Sequence, residues 1–122
     1  MAHNEIYYTL EINSDNIVVV KFVDQFIISK NHLIAILEIV KSRFFEYPLI
    51  LDIRNIDGIE FEAIEISKIE IFKNFPSRVA ILYEKNSISQ KYADLIDSIN
   101  VSCSRISKFE GLQEAFDWTR TS

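Results

Sequence analysis

Apolar and polar positions change their period several times along the chain, and each change marks the edge of an element. Glu5 to Ile12 and Ile17 to Val23 are rich in Val, Ile, Tyr and Thr, with the turn-forming cluster Asn13-Ser14-Asp15-Asn16 between them. That pattern predicts a β-hairpin. After Ser29-Lys30-Asn31, the residues Leu33, Ile34, Ile36, Leu37, Val40 and Phe44 follow i, i+3, i+4, i+7 spacing, which predicts a helix ended by Tyr47-Pro48. Its β-branched residues work against helix through their restricted χ1 angles. Pro48 to Ile53 is short and continuously apolar, as in a parallel strand covered on both faces.

Glu60 to Phe75 alternates at first, but the phase breaks at Ala63-Ile64 and again before Ile69. A strand cannot change faces twice without bulges, whereas a helix of about four turns absorbs the breaks. Phe61, Ile64, Phe72 and Phe75 then lie near one face. Ser77 to Tyr83 is a second buried strand. Ser87-Ile88-Ser89-Gln90 has the S-x-x-Q spacing of a capping box and opens a helix to about Ile99. Ser102 to Phe109 alternates weakly, as an edge strand does, and Gly111 precedes Leu112, Ala115, Phe116 and Thr119 at helical spacing. The order β-β-α-β-α-β-α-β-α predicts right-handed crossovers in an α/β fold whose sheet the opening hairpin makes mixed.

With 122 residues, 48% of them apolar, the chain is expected to form one domain, 1–122, around one core. Its two Gly and two Pro leave no material for a linker. Eighteen acidic against 13 basic residues, a formal net charge of −5, work against a phosphate backbone, so no nucleic-acid partner is expected. Neither a signal-peptide core nor an apolar run of roughly 20 residues is present, which predicts a cytoplasmic protein without a membrane span. Cys103, the sole cysteine, excludes an internal disulfide. His3 and His32 are far apart without a cysteine near either, so no metal site is expected. Two glycines cannot write a P-loop or a dinucleotide-binding loop, and no cofactor is expected. No G-x-S-x-G occurs, and no base can be placed beside Cys103, so no catalytic residue is assigned and the chain reads as a non-enzyme.

Leu51-Asp52-Ile53-Arg54-Asn55-Ile56-Asp57-Gly58, Arg78-Val79-Ala80-Ile81-Leu82-Tyr83 and Phe109 to Trp118 together resemble the small bacterial STAS-like proteins. Those are related in fold to anti-sigma factor antagonists and often grouped with CRAL-TRIO lipid-transfer domains. The resemblance implies a mixed sheet of four to five strands, a hairpin followed by β-α units, with helices mainly on one side. It also implies protein docking and, in some members, small-ligand binding. In the antagonists a strand ends in Asp-Leu-Ser and leads to Asp-Ser-Ser-Gly at a helix start, where one Ser is phosphorylated. Asp52 matches the strand-end Asp, but Glu60, Phe61, Glu62 and Ala63 occupy the helix start without a hydroxyl, so that switch should not operate. A CRAL-TRIO domain is about twice this length, so its enclosed lipid cavity should not form.

Asp52, Arg54, Asn55 and Asp57 lie beyond the carboxyl end of a strand, where ligands bind in open α/β sheets. The plainer reading is that Asp57-Gly58 makes the turn while Asp52 pairs with Arg54 at the surface or holds loop amides. Glu60 and Glu62 suit the positive end of a helix dipole, and two carboxylates two positions apart do not face each other. Phe61 between them is either the first core residue of that helix or an exposed docking residue. Ser87 reads as a cap, Lys85, Lys91 and Tyr92 around it as solvated surface, and Trp118 as the anchor of the last helix. The partner-binding surface is thus expected at Asp52, Arg54, Asn55, Asp57, Glu60, Phe61 and Glu62, for a protein partner or a homodimer. The alternative is a small hydrophobic ligand held by the helices.

Overall fold

The computed structural model describes residues 7–68, 74–100 and 103–120. Strands β1 (Tyr8–Ile12) and β2 (Val18–Phe22) form the expected antiparallel hairpin. Asn13 organises its turn: the side-chain oxygen accepts from the backbone N–H groups of Asp15 and Ile17 at 3.0 and 2.9 Å, while Asn16 takes a φ of 60°. Strands β4 (Leu49–Asp52), β6 (Val79–Leu82) and β7 (Ile106–Phe109) add in parallel, giving the five-stranded order β1-β2-β4-β6-β7. Cys103, expected on the last strand, precedes it and is buried.

Two very short strands were not legible in the sequence. β3 (Ile27–Ile28) and β5 (Gly58–Ile59) pair in parallel as a separate ribbon, with the N–H of Asp57 donating to Phe26 O and that of Glu60 to Ile28 O, both at 2.8 Å. Gly58 therefore lies in a strand, not in the turn assigned to Asp57-Gly58. The turn is at Arg54-Asn55.

Helices α1 (Lys30–Arg43), α2 (Phe61–Ser67) and α3 (Ile88–Ile99) cover one face of the sheet, and α4 (Leu112–Arg120) covers the other. Side chains alternate across a strand, so Val18, Val20, Leu49, Leu51, Val79 and Ile81 meet the three helices, while Ile50, Ala80 and Leu82 meet Ala115 of α4. Trp118, within α4, packs on Phe109, with the Arg78 guanidinium 4.8 Å from its ring centre. Among the described residues, no helix is long and apolar enough to cross a membrane.

The expected four-turn helix from Glu60 to Phe75 does not reach Phe75. α2 stops at Ser67, Phe72 lies outside the described residues, and Phe75 is a buried core residue beyond the helix. Pro76 follows it and disfavours helical backbone at the preceding residue. The S-x-x-Q box also differs in detail: Ser87 accepts from Ser89 N–H at 3.1 Å, but Gln90 accepts from Asn86 N–H at 2.7 Å, one residue upstream of the cap. The reciprocal box stands at α1 instead. There Ser29 Oγ accepts from His32 N–H at 3.2 Å, and His32 Nδ1 accepts from Ser29 N–H at 3.1 Å. The imidazole lies against the rings of Tyr7 and Phe26, which stack on each other, at centre distances of 4.5 and 4.7 Å. Ser29→Ala should cost about 1 kcal/mol of stability in urea titration; an unchanged midpoint would show that the box does not hold the helix start.

Candidate functional site

β4 runs apolar to its last residue, where strand alternation turns Asp52 to the face shared by Ile50 and α4. Asp52 is only 3% exposed, and a carboxylate that deep needs partners. Arg54, two residues on, supplies them. Its backbone N–H donates to Oδ1 at 3.1 Å, Nε to Oδ1 at 3.0 Å, and Nη2 to Oδ2 at 2.8 Å. The hydrogen bond to Asp52 raises the Arg54 pKa, which burial opposes and the charges of Asp52 and Glu84 reinforce. The Arg54 side chain remains 35% exposed. Asp52 therefore offers a partner no surface of its own and acts by fixing the arginine; the surface ion pair expected from sequence is half-buried.

The carboxyl ends of β2, β4, β6 and β7 converge beside this pair. Lys21, Arg54, Asn55, Tyr83, Glu84, Lys85 and Glu110 line a cleft of about 390 Å³. Burial first, and the Glu110 charge second, push the Tyr83 hydroxyl up from its ordinary pKa. Of the lining residues the sequence singled out Arg54 and Asn55. The others stand on or just past strand ends, a signal visible only once the strands are ordered.

Glu60, Phe61 and Glu62 sit elsewhere. The Glu60 N–H is held by β3, so α2 begins at Phe61, and Glu60 caps it without a side-chain hydrogen bond. Phe61 is 69% exposed, so its reading as a core residue does not hold. Helix periodicity explains this: Ala63, Ile64 and Ser67 take the inward face, and Phe61 falls outside it. Phe61 borders a groove of about 740 Å³ between α2 and α3, floored by Ile64, Ile66, Leu95 and Ile99. The α3 wall, Leu95 and Ile99, belongs to an apolar stripe of Ile88, Tyr92, Leu95 and Ile99 at i, i+4, i+7, i+11 that the sequence carries. Arg54 and Asn55 thus border one depression and Phe61 and Glu62 another. Asp57 is exposed and its backbone N–H is taken by the ribbon.

Within the core, the void lined by Phe22, Leu33, Leu51, Ile81 and Ile96 measures about 20 Å³, against about 300–1,000 Å³ for ligand pockets. Among the described residues, no three His, Cys, Asp or Glu side chains converge as metal ligands.

Removing either member of the Asp52–Arg54 pair should have unequal effects. Arg54→Met leaves a buried carboxylate with one backbone donor and should cost about 2 kcal/mol, whereas Asp52→Asn leaves an arginine that water can reach and should cost about 1 kcal/mol. Denaturant titration of both variants checks the order; a larger loss for Asp52→Asn would contradict the burial argument.

No protein-family model and no curated protein matches the sequence. Solved structures do. A protein of the DUF3478 family from Shewanella loihica PV-4, described as having a SpoIIAA-like fold, superposes with a TM-score of 0.61 at 19% identity, covering 98% of both chains. The anti-sigma factor antagonist SpoIIAA in its unphosphorylated form superposes with a TM-score of 0.57 at 11% identity, over 94% of this chain and 99% of that one. The hairpin-led mixed sheet with its covering helices is, accordingly, a STAS-like domain fold of the SpoIIAA kind.

Proposed function

We propose that the chain is a regulatory protein-interaction module without enzymatic activity, which docks a partner through the start of α2 and the adjoining α2–α3 groove. The observation that carries this reading is Phe61: a large aromatic ring left 69% exposed at a helix start, with the exposed carboxylates of Glu60, Glu62 and Glu65 beside it. Exposed aromatic anchors are the side chains from which interface hot spots are built. Carboxylates around such an anchor favour a partner that offers an apolar socket with a basic rim and reject acidic surfaces. The fold gives support, because one similar structure is an anti-sigma factor antagonist, a regulator by its name. Helix-start residues Glu60, Phe61, Glu62 and Ala63 carry no hydroxyl, so in this reading docking is not released by phosphorylation there.

Support for a non-enzyme comes from the hydroxyls and the thiol. Ser87 and Ser89 are engaged with each other and with Glu84 backbone groups at the start of α3, and Cys103 is buried.

A photo-crosslinking phenylalanine analogue placed at position 61 or at position 45, a second exposed Phe, tests the surface in living cells. Position 61 should yield a discrete protein adduct that position 45 does not, and Glu62→Lys should weaken it several-fold. Equal labelling from both positions, or none from 61, would remove this docking surface.

A further inference from the structure

The cleft at the strand ends lies apart from Phe61 and has the opposite character. Its lining combines an arginine fixed from behind by the buried Asp52, two lysines that form no ion pair with any described carboxylate, and the exposed Glu84 and Glu110. Both oxygens of Asp52 are committed to Arg54, so this carboxylate offers nothing to a guest. The guanidinium has five N–H groups and spends two on Asp52, leaving three on a rigid fork. Lys21 stands in register with Asp52 on the neighbouring strand, and Lys85 follows β6. Asn55 adds an amide. The Tyr83 hydroxyl, kept protonated by burial and by Glu110, remains a donor that reaches Glu110 Oε2 at 3.5 Å. Glu84 and Glu110 are the lining carboxylates that face these donors, two against the three cationic side chains of Lys21, Arg54 and Lys85.

We propose that this cleft binds a phosphate group, free or carried on a small ester, with Arg54, Lys21 and Lys85 as its donors. A planar fork held in place by a buried carboxylate suits the tetrahedral oxygens of phosphate, because the arginine loses little freedom on binding. The lysines supply the remaining charge. Glu84 and Glu110 stand where hydroxyl groups of an ester would donate, and they limit the site to one compact anion. At about 390 Å³ the cleft lies at the small end of ligand pockets. It also occupies the place where open α/β sheets take ligands, beyond the carboxyl ends of parallel strands.

Amide NMR of the intact chain, titrated with sodium phosphate or with glycerol 3-phosphate at constant ionic strength, tests this. Saturable shifts should appear at Lys21, Arg54, Asn55, Tyr83, Lys85 and Glu110, and sodium chloride should not produce them. Tighter binding of the ester would identify an esterified ligand, and equal binding the free ion. Lys21→Ala and Lys85→Ala remove exposed side chains without described partners, so the fold should stand, and each should weaken binding about threefold to tenfold. Phe61→Ala should leave phosphate binding unchanged, which separates this site from the docking surface. Shifts that do not saturate, that spread equally over Lys30, Lys41 and Lys91, or that persist unaltered in both lysine variants would overturn the proposal.

Discussion

The fold turns on β4 and β6 being apolar on both faces. Every residue of Leu49–Asp52 and Val79–Leu82 is buried, so the middle of the sheet needs cover on each side. Three helices supply it on one face. On the other, α4 lies across β4, β6 and β7, with Ala115 small enough to let the helix sit close above Ile50, Ala80 and Leu82. Parallel strands joined by crossovers must all point the same way, and this brings the polar residues at their carboxyl ends to one edge. Lys21, Asp52, Tyr83 and Glu110 meet there although they are spread over most of the sequence.

Asp52 shows how the double burial produces chemistry. The strand pattern that places Ile50 beneath α4 places Asp52 on the same face two residues later. A charge in that position requires a partner at short range, and the turn at Arg54-Asn55 brings the guanidinium back over it. The result is an arginine held at the mouth of a cleft by a carboxylate that water barely reaches. The pair is better understood as a positioning device than as a source of stability, since the desolvation of a buried charge offsets most of its attraction.

The β3–β5 ribbon divides the surface beyond the sheet. It ties the segment after β2 to the segment after β4, with Gln25 N–H donating to Asn55 O at 2.7 Å, and it delivers the chain to α2 with Phe61 turned outward. Basic donors lie on one side of this division and an aromatic ring among carboxylates on the other, so one loop serves two surfaces of unlike chemistry. Gly58 is buried in the ribbon against Tyr92, whose hydroxyl lies 3.4 Å from where a Cβ at position 58 would be, an ordinary contact distance.

Much of this architecture was legible in the chain. Continuous apolar runs identified β4 and β6, the Asn13–Asn16 cluster identified the hairpin, and 3.6-residue periodicity identified the helices, because these signals are local and repeat over a whole element. The ribbon was invisible, since Ile27–Ile28 and Gly58–Ile59 are strands only by virtue of pairing with each other across 31 positions. Likewise Glu60 to Phe75 carried apolar residues that served equally for a helix reaching Phe75 and for one that leaves Phe75 buried outside it. By itself the sequence determined the element order, the two-faced centre of the sheet and the residues around the Asp52 turn. Tertiary structure decided that Asp52 is buried, that Phe61 is exposed and that Lys21, Tyr83, Lys85 and Glu110 join Arg54, because burial and proximity depend on which segments pack together.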